Sequence, residues 1–168
     1  TILGPAPQPG LPGALRLRVL TLRHRLGASD TVDILKAGWK ELDEEQRFAG
    51  AMEIEDLGLA VRAAVTPAQV AILLGKANDD WRLARVEFAL KQRLDGLRDS
   101  GEAARILEWF VDSLLGQNRV AAARRLADAY PAALSLPARR LMLQRWLADD
   151  NREALVSGFL RAADDQEQ

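Results

Sequence analysis

Few residues in this sequence could carry bond-making chemistry. The chain has no cysteine and a single histidine, His24, so disulfides, thiolate metal sites and cysteine nucleophiles are excluded. A serine–histidine–aspartate triad could use only His24, whose neighbours in sequence are arginines. The pairs Asp79-Asp80, Asp149-Asp150 and Asp164-Asp165 fall at the ends of predicted helices, where capping or a solvated tail accounts for them. We therefore expect a non-catalytic protein that needs no metal and no cofactor.

Recognition chemistry is concentrated near the start of the chain, where residues 16–25 carry four arginines and no acid. These arginines are Arg16, Arg18, Arg23 and Arg25. On a helix they border an apolar stripe, two on each edge, and the stripe consists of Leu15, Val19, Leu22 and Leu26. The segment is a candidate docking site for an acidic partner or a phosphate group. The alternative is a solvated helix whose arginines pair with the acidic residues at 41–45.

Tryptophan provides a second candidate for partner binding. Trp39 and Trp81 lie near the ends of predicted helices, beside charged residues, and either could anchor a protein interface. The alternative is that both close the edge of the core. Trp109 falls in the most apolar predicted helix, so we expect it in the core.

Composition restricts the class of partner. The 168 residues include 23 basic and 24 acidic side chains, and a net charge near −1 gives no general attraction to nucleic acid or to an anionic membrane. No apolar run approaches the roughly 18–20 residues of a membrane span. The sequence thus favours a protein partner, which could be a second copy of the same chain. It does not fix the compartment, although a soluble protein of the cytoplasm is slightly favoured.

The elements that must position these residues are helices, because alanine and leucine are abundant while β-branched and aromatic residues are few. We predict an all-α, multi-helix bundle of seven to nine helices with antiparallel hairpins, in which residues 14–163 form one domain. Residues 1–13, rich in proline and glycine, are predicted to be a linker or tail. Residues 164–168 are predicted to be a polar tail.

Capping residues divide the predicted domain into helices. The stretch 14–26 has both helical and alternating periodicity, and helix is preferred because no second strand exists to pair with it; Gly27 would end it. The segment after Asp43 is interrupted by Gly50 and Gly58, so it is either one bent helix or two short ones. The predicted starts are Asp30, Asp43 with Gln46, Thr66 before Pro67, Asp79 or Asp80, Ser100, Asn118, Pro137 and Asn151.

Residues 66–95 resemble a DNA-binding helix-turn-helix. Ala71 and Gly75 have the spacing of the small residues at which the two helices of that motif cross. The resemblance implies a second helix that presents Arg82 and Arg85 to the major groove. A lysine directly after the glycine and two aspartates at the start of the second helix favour the alternative, an ordinary pair of capped helices.

The last third of the chain resembles a tetratricopeptide-like helical-hairpin repeat over about residues 101–163. At an offset of 33 residues, Asn118-Arg119 matches Asn151-Arg152, which is close to the period of that family. The resemblance implies a short, degenerate α-solenoid that recognises proteins on a concave face. Pro131 comes earlier than the family pattern has it, so two unrelated antiparallel hairpins remain the alternative.

These features predict a non-catalytic helical protein–protein interaction module that serves as an adaptor, a scaffold or a chaperone-like subunit. The alternative from a different class is a helix-turn-helix DNA-binding regulator. The candidate partner-binding residues are Arg16, Arg18, Arg23, Arg25, Trp39 and Trp81.

Overall fold

All regular structure in the described residues is helical. The computed structural model describes residues 13–97, 99–130 and 133–135, and positions 139, 140, 142 and 144. This part of the chain contains no strand, which confirms the all-α prediction. Its elements are α1 Gly13–Arg25, α2 Thr31–Ala37, a 3-10 helix Trp39–Glu41, α3 Glu44–Glu53, α4 Leu57–Ala63, α5 Pro67–Lys76, α6 Asp80–Gly96, α7 Ser100–Gly116 and α8 Val120–Ala129.

The helices group into two compact units, the first ending at Gly96 and the second beginning at Leu97. Helices α1 to α6 belong to the first unit, and α7 and α8 to the second. One domain over residues 14–163 stays a prediction. The predicted linker, apart from Gly13, and the predicted C-terminal tail lie outside the described residues.

The first unit is built around α4, the element on which α3, α5 and α6 all pack. Five of the seven residues of α4 are buried: Leu57, Leu59, Ala60, Val61 and Ala63. Its neighbours surround it with further buried side chains, among them Phe48, Val70, Leu73, Leu74, Leu83, Val86 and Leu90. Removal of this apolar surface from water provides the main driving force for folding of the unit.

Both ends of α4 are closed by side chains from the same unit. The carboxylate of Asp56 accepts a hydrogen bond from the Leu59 amide at 3.0 Å. At the other end, Nη1 of Arg93 donates to the carbonyl oxygens of Val61 and Ala64, at 2.5 and 2.6 Å. A short buried helix needs such partners because its terminal amides and carbonyls have none within the helix.

Helix α1 packs on α2 and α3 and turns its apolar stripe away from them. Leu20 is buried in this contact, whereas Leu15, Leu22 and Leu26 are 46%, 59% and 65% exposed. Gly50 lies at the contact between α1 and α3, where a Cβ atom would come within 2.7 Å of a methyl group of Leu17. The small residue therefore lets the two helices approach closely.

Three helices end in the same way, with one residue in the left-handed conformation. These residues are Gly27, Glu55 and Asn118, with φ of +76°, +55° and +58°. In each case the next amide donates back to a carbonyl five residues earlier, as from Arg119 to Leu114 at 2.8 Å, which is the Schellman motif. The sequence predicted this role for Gly27 only.

The observed ends correct three details of the sequence analysis. The break between α3 and α4 falls at Glu55 rather than at a glycine. Asn118 terminates α7 and does not cap α8. The cap of α7 is the carboxylate of Asp99, which accepts hydrogen bonds from the amides of Gly101 and Glu102, so the predicted start at Ser100 is displaced by one residue.

Other predicted starts are observed as expected. Asp43 and Gln46 form a reciprocal capping box on α3, and the Thr66 hydroxyl accepts from the Gln69 amide at the start of α5. Asp79 accepts from the Arg82 amide at 2.7 Å and so caps α6. The starts predicted at Pro137 and Asn151 lie outside the described residues.

The second unit contains the α7–α8 hairpin. Helix α7 is buried over most of its circumference, as its composition predicted, through Ile106, Leu107, Phe110, Val111, Leu114 and Leu115. Trp109 differs from the prediction, because it is only half-buried and lies under the guanidinium of Arg105 at 5.6 Å. Most of the second predicted hairpin lies outside the described residues, so the repeat stays a prediction.

Replacing Arg93 tests the closure of α4. Arg93→Met keeps a similar length of apolar stem but leaves two carbonyl oxygens without their donor. We expect the free energy of unfolding to fall by about 1–3 kcal/mol in urea denaturation followed by circular dichroism, with partial recovery in Arg93→Lys. Arg62→Met is the matched control because Arg62 is exposed; an equal loss there would contradict the role given to Arg93.

Asp112 makes stability of the second unit depend on pH. Burial raises the pKa of Asp112, and the nearby Glu108 carboxylate raises it further. The folded state thus holds this proton more tightly than the unfolded chain, so stability falls as the pH rises from the ordinary pKa of about 3.9 through the raised value. At pH 7, Asp112→Asn should raise stability by about 0.2–0.5 kcal/mol. The gain should vanish towards pH 4.

Thermal denaturation at both pH values measures this effect. Asp128→Asn is a control of opposite sign, because Asp128 lies 3.5 Å from Arg124 one helical turn away and its neutralisation removes a favourable pair. A Tm of Asp112→Asn that is unchanged at pH 7, or equally raised at both pH values, would contradict the assignment.

Candidate functional site

Trp81 is an exposed aromatic residue that lines a cleft in the first unit. It is the second residue of α6, and 65% of its surface is exposed. Helix α6 buries Leu83, Val86 and Leu90, which at helical spacing lie on the side opposite Trp81. Packing of α6 in the core therefore holds the indole ring outward.

The Trp81 cleft has a volume of about 250 Å³. Its lining residues come from α3, the α3–α4 turn, α4, α5 and α6: Met52, Glu55, Leu57, Lys76, Trp81, Arg82 and Arg85. All of these belong to the first unit. Glu55 reaches the cleft from the left-handed turn after α3, and Lys76 reaches it from the end of α5.

The cations of the cleft are held in different ways. The guanidinium of Arg85 lies 5.0 Å from the centre of the Trp81 ring, a cation–π contact. Arg82 is 3.5 Å from the Asp79 carboxylate and donates to the Lys76 carbonyl at 3.4 Å. Within the described part of the chain, no carboxylate oxygen lies within 4 Å of the charged groups of Lys76 or Arg85.

The cleft combines apolar surface with positive charge. An exposed indole and an apolar floor can take up an aliphatic or aromatic side chain, and a guanidinium and an ammonium group can receive carboxylates. In the described residues, no group of three or more His, Asp or Glu side chains could hold a metal ion.

Two of the four predicted arginines are used inside the fold. Arg16 is buried, and its guanidinium lies 2.5 Å from Glu41, a pairing that the alternative interpretation of residues 16–25 had anticipated. Arg23 lies 2.6 Å from Asp30. Because these guanidinium groups are bound to carboxylates of the same unit, neither forms part of an open docking surface.

The other two arginines face solvent on α1. The Arg25 side chain is 72% exposed and only 3.9 Å from the Glu53 carboxylate of α3, and Arg18 is exposed as well. Arg18 and Glu53 line a groove of about 510 Å³ between α1 and α3. The remaining lining residues of this α1–α3 groove are Leu17, Thr21, Leu22, Ala49 and Gly50.

Trp39 occupies a structural position. It is half-buried in the 3-10 helix, and the guanidinium of Arg47 lies 5.9 Å from its ring. Nε of Arg47 also donates to the Trp39 carbonyl at 2.7 Å. Of the two predicted tryptophan anchors, Trp81 is therefore the accessible one.

The helix pair that resembles a helix-turn-helix lacks the close crossing of that motif. Arg85 is exposed and the apolar stripe of α6 is buried, as DNA binding would require. Ala71, however, is exposed, and a Cβ atom on Gly75 would meet nothing within 4 Å. The two small residues that suggested the motif thus do not lie between packed helices.

None of the described helices is long and apolar enough to cross a membrane. Comparison of the chain with known protein families, with curated proteins and with solved structures finds no match.

Sequence reasoning missed Lys76 and Glu55 as members of the site, and considered Arg82 and Arg85 only for DNA. A readable signal was the spacing of Trp81 and Arg85, four residues apart on one helix, which places a cation next to the ring. The left-handed conformation of Glu55 had no such signal, since glutamate rarely adopts it.

Selective fluorescence quenching tests the geometry and charge of the Trp81 cleft. Nearby cations should attract iodide and repel caesium, so Trp81→Phe should remove more of the emission quenched by iodide than of that quenched by caesium. Trp39→Phe should remove a smaller share of both, because Trp39 is half-buried. Equal losses for the two ions in Trp81→Phe would contradict a positively charged cleft.

Proposed function

We propose that this chain is a non-catalytic helical protein-interaction module that binds an acidic, partly apolar segment of a partner protein in the Trp81 cleft. The observation that carries the proposal is the 65% exposure of Trp81 beside Lys76 and Arg85. Such a module serves as an adaptor, a scaffold or a chaperone-like subunit of an assembly.

The apolar part of the cleft supplies affinity. Burial of a large, rigid ring contributes strongly at protein interfaces, where tryptophan and arginine are enriched among the residues that dominate binding. The Arg85 guanidinium already lies on one side of the ring, so little side-chain freedom is lost when a partner covers the other side. Met52 and Leu57 extend the apolar surface beneath it.

The charges of the cleft supply orientation. Lys76 and Arg85 have no paired carboxylate within the described residues, whereas Arg82 is already neutralised by Asp79. Glu55 adds one negative charge to the lining of the cleft. An acidic partner segment would therefore direct its carboxylates towards Lys76 and Arg85 and away from Glu55.

Selection of binding peptides tests this function. A displayed library of random short peptides, selected on the immobilised chain, should enrich sequences with aspartate or glutamate next to an aromatic or aliphatic residue. The Kd of the best synthetic peptide should rise by at least about tenfold in Trp81→Ala and in Arg85→Glu. Lys91→Glu, a charge reversal at an exposed residue of the same helix, should leave it unchanged.

Two results would contradict this function. One is enrichment of neutral or basic peptides, and the other is binding that Trp81→Ala leaves intact. The alternative function, DNA binding, is tested by measuring the fluorescence anisotropy of labelled duplex DNA in the presence of the chain. Tight, salt-sensitive DNA binding that is lost in Arg82→Ala and Arg85→Ala would favour the DNA-binding regulator.

A further inference from the structure

The exposed stripe of α1 has the spacing of a helix–helix seam. Leu15, Val19, Leu22 and Leu26 follow one another at intervals of four, three and four residues, the pattern of the d and a positions of a heptad. Three of them are among the most exposed large apolar side chains described, and Val19 is half-buried. Contiguous apolar surface of this kind is typical of interaction sites.

A complementary depression lies directly beside this stripe. The α1–α3 groove is lined by Leu17 and Leu22 of α1 and by Ala49 and Gly50 of α3. This mainly apolar lining offers a surface against which an aliphatic side chain can pack. One face of the first unit therefore carries both a ridge and a groove.

The charges on this face are of both signs and lie on separate helices. Arg18 and Arg25 stand on α1, and Glu53 stands on α3. In the isolated chain, Arg25 and Glu53 are 3.9 Å apart with side chains 72% and 50% exposed, a separation at which the pair contributes little. Both groups remain available to a partner.

We propose that this α1–α3 face pairs with the same face of a second copy of the chain. A two-fold axis places the ridge of each copy in the groove of the other and brings the arginines of each α1 to Glu53 of the partner. A self-complementary patch is what such an isologous contact requires. An acidic helix would be repelled at Glu53 and a basic one at Arg18 and Arg25, so the second copy fits the charges best.

This inference goes beyond the proposed function and uses a different surface of the first unit. Sedimentation equilibrium of the full chain should show a reversible dimer at micromolar to submillimolar concentration. Leu22→Glu, which places a charge at the centre of the seam, should make the chain monomeric with an unchanged circular dichroism spectrum. Ile72→Glu is the control, since Ile72 is an exposed apolar residue on α5.

A mixing experiment separates contact between copies from effects within one chain. Arg25→Glu and Glu53→Arg should each weaken the dimer about tenfold or more, because each creates two repulsive contacts across the axis. In an equimolar mixture of the two variants, both contacts regain opposite charges, so the mixed dimer should recover the wild-type Kd. The changes within each chain persist in the mixture and cannot account for recovery.

The proposal is overturned by a wild-type chain that remains monomeric, by a dimer that survives Leu22→Glu, or by variants that do not recover on mixing. Peptide binding to the Trp81 cleft is unaffected by any of these outcomes, so failure here leaves the proposed function standing. Loss of peptide binding in Trp81→Ala would in turn leave the dimer intact.

Discussion

Closure of the polar ends of α4 is the constraint on which the first unit depends. A helix of only seven residues cannot satisfy its terminal amides and carbonyls internally, and α4 buries five of its seven residues in the core of the unit. Asp56 serves one end and Arg93 the other. Arg93 reaches from α6, so the same contact that satisfies α4 also fixes the register of the helix that carries Trp81.

The two surfaces argued to bind partners follow from this arrangement. The turn between α3 and α4 must bend sharply to seat α4, and its bend delivers Glu55 to the Trp81 cleft. Helix α3, held against α4 on one side, offers Ala49, Gly50 and Glu53 to α1 on the other. The side chains proposed to bind partners are therefore held by well-packed helices, which would lower the entropic cost of binding.

The sequence was sufficient for the helical class and for the starts of several helices, because caps such as Asp43 with Gln46 depend on neighbouring residues alone. It was insufficient where tertiary contacts decide. The heptad-like stripe of α1 was visible, but which side of α1 faces the core depends on α2 and α3. The arginines of α1 likewise looked equivalent, and only the fold separates Arg16, bound to Glu41, from exposed Arg18. For the same reason, Trp109 was predicted to lie in the core although it is only half-buried.

The conformation of Glu55 lowers the stability of the turn, while its side chain adds a negative charge to the cleft. A side chain in the left-handed region costs about 1–2 kcal/mol, a strain that glycine does not carry. Replacement by glycine would therefore stabilise the bend, yet it would remove the only acidic side chain among the described residues that line the cleft. A redesign of this chain for thermal stability that adopted glycine here would therefore remove a charge on which the proposed orientation of a bound segment depends.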